Sequence, residues 1–166
     1  MAESVSAGRR ILVTGGSGFL GRAILRRLAD RADSISLILR HPPTDHPRVA
    51  GGIFEADLAE IDADHPVFSS VDTVIHAAVD YGSTPRSVEM VRRVIAGCCH
   101  HGVERIIYIS SQNAGFQRPG EYSRGKRDGE RLVRESGLAW VILRPTLLYG
   151  NVGGPFLSFL IRLART

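Results

Sequence analysis

Only two of the 166 residues are cysteine, and they stand side by side as Cys98 and Cys99. Neighbours on a helix point about 100° apart, which excludes ordinary disulfide geometry between them. No metal-ligand spacing is present either, so both are expected to be buried thiols in a reducing compartment. Long apolar runs are missing too. Nothing approaches the roughly 20 residues of a membrane span, and the opening MAESVSAG lacks the apolar core of a signal peptide. A cytoplasmic location is the expectation. Aromatic residues are scarce at 7%, and the basic residues behind the net charge of +4 are scattered and form no tract. Without basic runs interleaved with aromatics, nucleic acid is not an expected partner. The excess positive charge suits a solvated surface and anionic phosphate ligands. What is plentiful is apolar residues, 43% of the chain, enough for one α/β domain with a true core.

The stretch that organises this composition is ILVTGGSGFLG, residues 11–21. Ile11, Leu12 and Val13 form a short apolar run, as expected of a strand buried on both faces. Gly15, Gly18 and Gly21 follow at three-residue spacing, and Ala23, Ile24, Leu25 and Leu28 then carry a helical pattern. A strand, a glycine turn and a helix in that order gather free backbone N–H groups and a helix dipole at one point, which suits a phosphate. Gly15 would permit the tight turn, Gly18 the approach of a pyrophosphate, and Gly21 the packing of helix on strand. The spacing is GxxGxxG and not the GxGxxG of the commonest dehydrogenases.

Further along, the pattern alternates. Residues 1–8 are small and polar and are expected to fray. Residues 34–39 (SISLIL) read as a second strand, followed by the proline-broken surface loop 41–48 (HPPTDHPR). Residues 49–55 make a poorer third strand, weakened by Gly51 and Gly52, and a short helix is expected within 60–69. Residues 72–77 (DTVIHA) are a fourth strand, and Pro85 starts a helix that Gly102 ends. Residues 104–110 (ERIIYIS) form a fifth strand, 122–136 an amphipathic helix stopped by Gly137, and 138–143 (LAWVIL) a sixth strand. Strands alternating with helices at this spacing imply right-handed crossovers and a doubly wound parallel sheet of Rossmann type. Its ligand crevice would lie at the carboxyl ends of the strands.

Chemistry-bearing residues collect at those ends. Arg40 directly follows the second strand, where an acid would hold ribose hydroxyls and an arginine can pair with a ribose phosphate. Asp57 ends the third strand, placed either to accept from an adenine amine or to cap the next helix. His76, Ala77 and Ala78 end the fourth. The two alanines leave room for a ribose and nicotinamide, and His76 is given a positional role. Ser110 and Ser111 end the fifth, and Tyr122 is followed four residues later by Lys126 on the same helical face. A nearby ammonium favours the phenolate, so Tyr122 is expected to titrate well below the usual value of about 10 and to exchange a proton with a carbonyl or alcohol.

Taken together, TGGSGFLG, ADL at Asp57, HAA at 76–78, SS at 110–111, YSRGK at 122–126 and RPTLLYG at 144–150 occur in the order seen in the short-chain dehydrogenase/reductase superfamily. The chain resembles its extended and atypical branch, the NAD-dependent epimerase/dehydratase family, over roughly residues 9–151. That resemblance implies a serine–tyrosine–lysine set carried by Ser111 (Ser110 being the second candidate), Tyr122 and Lys126, with Lys126 also on the nicotinamide ribose. It implies further cofactor contacts from Gly15, Ser17, Gly18, Phe19, Leu20, Asp57, Leu58, Ala77 and Pro145. Gly21, Arg40, His76 and Ala78 complete the expected NAD(P) site.

Members of that family usually continue into a small substrate domain. The expected organisation is therefore a flexible 1–8, a dinucleotide-binding domain 9–150, and the start of a helical segment at 151–166, with the sheet truncated after its sixth strand. Phe156, Leu157, Phe159, Leu160, Ile161 and Leu163 make that last segment apolar enough to fold back over the sheet or to pair two chains as a homodimer. The expected function is hydride transfer at a hydroxyl or carbonyl of a small molecule such as a nucleotide-linked sugar, with NADP preferred over NAD because of Arg40. The alternative is a non-catalytic NAD(P)-binding module with a structural or redox-sensing role.

Overall fold

Strand β1 (Arg10–Thr14) places Leu12 and Val13 at zero exposure on opposite faces, as its apolar run requires. It is the middle of the sheet. The computed structural model describes residues 9–32, 34–42, 49–117 and 120–149. Residues 1–8, most of the loop at 41–48, and the apolar segment 156–163 with its expected pairing lie outside them.

The described residues form a six-stranded, wholly parallel sheet in the order β3-β2-β1-β4-β5-β6. Its other strands are β2 (Ser34–Leu39), β3 (Gly52–Glu55), β4 (Thr73–His76), β5 (Arg105–Ile109) and β6 (Ala139–Leu143). Chain order reverses direction across the sheet between β1 and β4, so the crevice of a doubly wound fold opens there. Helix α1 (Phe19–Leu28) packs Leu25 on one face, over Ile11, Val13, Leu37 and Ile75. Helices α2 (Thr84–His101) and α3 (Glu121–Glu135) pack side by side on the other, with Val94 and Val133 set over Leu12, Val74 and Ile106. Fully burying such a side chain is worth roughly 1.5–3 kcal/mol, so these two apolar layers carry the fold.

The helix ends follow local chemistry. Ser83 accepts from the Arg86 N–H and Pro85 sits in the first turn of α2, while Gly102 closes it at φ 68°, a conformation glycine tolerates best. Three expectations need correction. The third strand spans only Gly52–Glu55, since the chain enters it through Gly52 at φ 91°. The helix expected within 60–69 is a single 3-10 turn, Pro66–Phe68, entered by His65, whose Nδ1 accepts from the Val67 N–H. And of the two cysteines only Cys98 is buried; the helical rotation turns Cys99 outward.

Among the described residues β3 and β6 are the two edges of the sheet. Trp140, Val141 and Leu143 on β6 are each more than 40% exposed, and Arg134 lies over the Trp140 ring at 5.7 Å. Among the described residues no helix is long and apolar enough to cross a membrane.

Candidate functional site

The turn after β1 is built around two places where no Cβ fits. Gly15 has φ 72°, and a Cβ on it would stand 2.6 Å from the Ala78 nitrogen. A Cβ on Gly21 would run into the Gly15 carbonyl oxygen, which is why α1 can lie so close to β1. The Gly18 N–H donates to Gly15 O at 3.0 Å, and Gly18 itself is extended, immediately before α1. Arg22 Nε clamps the turn by donating to Ser17 O at 3.0 Å.

From this turn a cleft of about 680 Å³ runs across the carboxyl ends of the strands. All the residues expected in the site line it except His76 and Lys126. A glycine cradle without side chains at a ten-residue helix's N-terminus, opening on a cleft of this size, fits a dinucleotide pyrophosphate.

At one end of the cleft stand Arg40, Asp57 and Leu58. Asp57 Oδ1 accepts from the Ala59 N–H at 3.0 Å and Oδ2 is paired with Arg86, so the carboxylate caps a turn, where a helix was expected, and holds a cation. Burial would raise its pKa, but the Ala59 N–H, Arg86 and Arg40 outweigh this and hold it below the ordinary value. Arg86 also reaches Asp80 at 3.5 Å and Glu60 at 3.7 Å. Sequence reasoning missed Arg86, whose role depends on a pairing 29 residues away.

Beneath the floor lies His76, with no exposure. Its Nδ1 shares a 2.8 Å hydrogen bond with Thr14 Oγ1, which also accepts from the Ala78 N–H at 3.3 Å, and its ring stacks on Tyr108 at 5.7 Å. Burial, with Lys126 nearby, pushes its pKa down to about 3, so it is neutral. His76 therefore ties β1 to β4 and does not face the cleft, a correction to its place among the cofactor contacts.

The other end gathers Ser111, Tyr122 and, behind them, Lys126. Ser111 is hydrogen-bonded to the Tyr122 phenol and caps the 3-10 turn Gln112–Gly115 by accepting from the Asn113 N–H. Ser110 is turned inward, 3% exposed, donating to Glu130 Oε1 at 2.6 Å. Lys126 is 7% exposed, donates to Ile109 O at 2.8 Å, and lies 5.9 Å from the Tyr122 ring centroid. Burial lowers its pKa to about 8. The expected depression of Tyr122 is not found. Burial and charge repulsion from Tyr81, whose ring is stacked 5.9 Å away, raise the phenol, and the Ser111 hydrogen bond offsets this only in part. An acid that keeps its proton at neutral pH is suited to donating it to a carbonyl oxygen.

Two signals in the sequence were available and unused. Lys126 is the sole lysine among 21 lysines and arginines, and Glu130 continues the four-residue spacing of Tyr122 and Lys126.

A family model described as NAD(P)H-binding matches residues 15–156. The chain is 29% identical over 171 residues to a 2-alkyl-3-oxoalkanoate reductase of Stenotrophomonas maltophilia, covering 85% of this chain and 51% of the reductase. It is 27% identical over 190 residues to a UDP-glucose 4-epimerase of Azospirillum brasilense, covering 93% and 52%. Among solved structures, MoeE5 in complex with UDP-glucuronic acid and NAD superposes with a TM-score of 0.78 at 25% identity, over 92% of this chain and 60% of that one. The chain thus spans about half the length of the reductase and the epimerase.

Proposed function

The chain belongs to the NAD(P)H-binding family, in the extended short-chain dehydrogenase/reductase group with epimerases and dehydratases, and from that premise we propose that it is the cofactor and proton-transfer half of an NADP-preferring enzyme. Its reaction is at a hydroxyl or carbonyl, and its substrate a nucleotide-linked sugar. The observation that carries this is the meeting of Ser111, Tyr122 and the Gly15–Gly21 turn on one cleft, with Lys126 directly behind.

The turn, Ala77, Ala78 and Pro145 would hold the dinucleotide, which when bound supplies or accepts a hydride. The remaining work belongs to side chains. Tyr122 Oη gives a proton to a substrate carbonyl oxygen, or takes one from a hydroxyl, within reach of Ser111, whose hydroxyl steadies the same oxygen. Lys126, fixed on Ile109 O, keeps a cation within 6 Å of the phenol ring and so favours the phenolate at the moment it forms. At the other end Arg40 meets a ribose phosphate, supporting NADP over NAD. The nucleotide-sugar reading rests on likeness to the epimerase and to MoeE5.

Tyr122→Phe tests the reading, because it keeps the ring and removes the proton. With UDP-glucose or UDP-glucuronic acid as substrate, turnover should fall about 100-fold or more. Dinucleotide affinity, by calorimetry, should change by no more than about twofold. Retained turnover would exclude the role. Tight dinucleotide binding without wild-type turnover would favour the non-catalytic module.

A further inference from the structure

Three residues at four-residue spacing on α3 meet three successive groups at the end of β5. Tyr122 is hydrogen-bonded to Ser111, Lys126 donates to Ile109 O, and Glu130 accepts from Ser110 Oγ. Of the three contacts only the last is made by a charged group with no exposure at all. Its carboxylate is surrounded. Oε1 accepts from Ser110 Oγ at 2.6 Å and Arg144 Nε at 2.7 Å; Oε2 accepts from an Arg144 Nη at 2.6 Å and an Arg134 Nη at 2.9 Å. Burial alone would raise this carboxyl, yet the hydrogen bonds from Arg144, Ser110 and Arg134 hold it at about 2.

The partners come from three elements. Ser110 follows β5, Arg144 follows β6, and Arg134 is on α3 itself. Arg144 directly precedes Pro145, whose carbonyl accepts from the Gln112 N–H at 3.0 Å, and the Ser110 N–H donates to Leu143 O at 2.8 Å. One carboxylate thus joins the helix carrying Tyr122 to the two strand ends carrying Ser111 and Pro145. A well-packed apolar residue would stabilise such a place about as well as a buried ion cluster. What apolar packing would not supply is a directional tie to the residue beside Ser111.

We propose that Glu130 is a positioning residue, which through Ser110 and Arg144 holds Ser111 and Tyr122 in hydrogen-bonding register. Its role in catalysis rests on the function proposed above, but the register itself does not. The titratable groups around Tyr122 are Tyr81 on the loop after β4, Tyr108 on β5, and Lys126 on its own helix. None of them is hydrogen-bonded to Glu130, but Tyr108 feels the charge of both Tyr122 and Glu130, so the two routes differ in sign: losing the Glu130 charge through space lowers the Tyr122 phenol, whereas losing the Ser111 hydrogen bond raises it.

The test is Glu130→Gln in the full chain, which keeps an acceptor for Ser110 and removes the charge that binds Arg144. Tyrosine labelled with ¹³C at Cζ, assigned with Tyr122→Phe, reports the phenol titration by NMR, whatever the turnover. Loss of the Ser111 hydrogen bond should move the Tyr122 titration upward. Turnover should fall by up to about 100-fold, as expected of a small misplacement of reacting groups. Dinucleotide affinity should stay within about twofold, since the glycine turn is untouched. An unchanged or lowered Tyr122 titration in folded Glu130→Gln would overturn the proposal. If that variant does not fold, Glu130→Met with Arg144→Met removes the ion cluster while keeping the volume filled. A normal Tyr122 titration and turnover there would overturn it equally. Inactivity of the wild type would count against the proposed function and leave the titration to decide the register.

Discussion

The Lys126 ammonium points at the Ile109 carbonyl oxygen, 2.8 Å away, while the Tyr122 ring centroid is 5.9 Å off. The cation is thus anchored on backbone and acts on the phenol from a distance. This separation has a thermodynamic consequence. A lysine whose folded pKa is about 8 against 10.5 unfolded binds fewer protons folded than unfolded between those values. Stability then rises with pH across that window, and the burial penalty is fully present below it.

Lys126→Met removes that dependence. Between pH 7 and 10.5 the stability difference should shift by up to about 3 kcal/mol in favour of the wild type, at about 1.4 kcal/mol per pKa unit. Urea unfolding of both proteins across that range checks it. Parallel pH curves would contradict it. Cys98, raised by burial to about 12, titrates in both proteins and cancels in the difference.

Tyr81, 83% exposed, stacks on Tyr122 at an interplanar angle of 19°. Burial and Tyr81 both raise the Tyr122 phenol, so Tyr81→Ala should lower its pKa, and Tyr81→Phe should lower it less. NMR titration of the phenol reads both variants. An unmoved titration in Tyr81→Ala would show that the stack does not shield Tyr122.

Arg40 and Arg86 share the far end of the cleft but not the same task. Arg86 is committed to Asp57, Asp80 and Glu60, leaving Arg40 as the group to meet a ribose phosphate. A charge-assisted hydrogen bond is worth about 1.5–3 kcal/mol, so Arg40→Ala should weaken NADPH about tenfold or more relative to NADH. Competitive calorimetry measures the ratio. Equal wild-type affinity for the two would refute the preference.

His76 gives an acid-side signature. Its folded pKa of about 3 lies below the ordinary 6.5, so the unfolded state binds the extra proton between them and stability falls as pH drops through that window. His76→Gln should be flatter than the wild type below pH 6.5, by about 1.4 kcal/mol per unit. Identical slopes would mean that His76 is charged in the fold.

Elements whose limits are set by neighbouring residues were legible in the sequence. SISLIL is β2 as read, and Pro85 and Gly102 mark the ends of α2 because a proline in the first turn and left-handed closure are local signals. The site's outline was also legible, since residues at strand ends fall into one crevice whatever fills the core. What escaped depends on long-range pairing. Glu130 with Arg144, and Asp57 with Arg86, are joined only when the sheet assembles. The sign of the Tyr122 shift escaped for the same reason. A lysine four residues on is visible in the sequence, but the depth of the phenol and the Tyr81 ring across the cleft are not.

The claim on which the rest depends is that the Gly15–Gly21 turn holds a dinucleotide. Gly18 allows a clean test, because a Cβ there meets only the Gly15 carbonyl oxygen, at 3.2 Å, while the side chain projects where the pyrophosphate must pass. Calorimetry of NADPH and NADH against wild type and Gly18→Val, with unfolding curves to show that the variant is folded, measures it directly. The account predicts binding by the wild type and a loss of about 100-fold or more in the variant. Equal affinity in two folded proteins would contradict it.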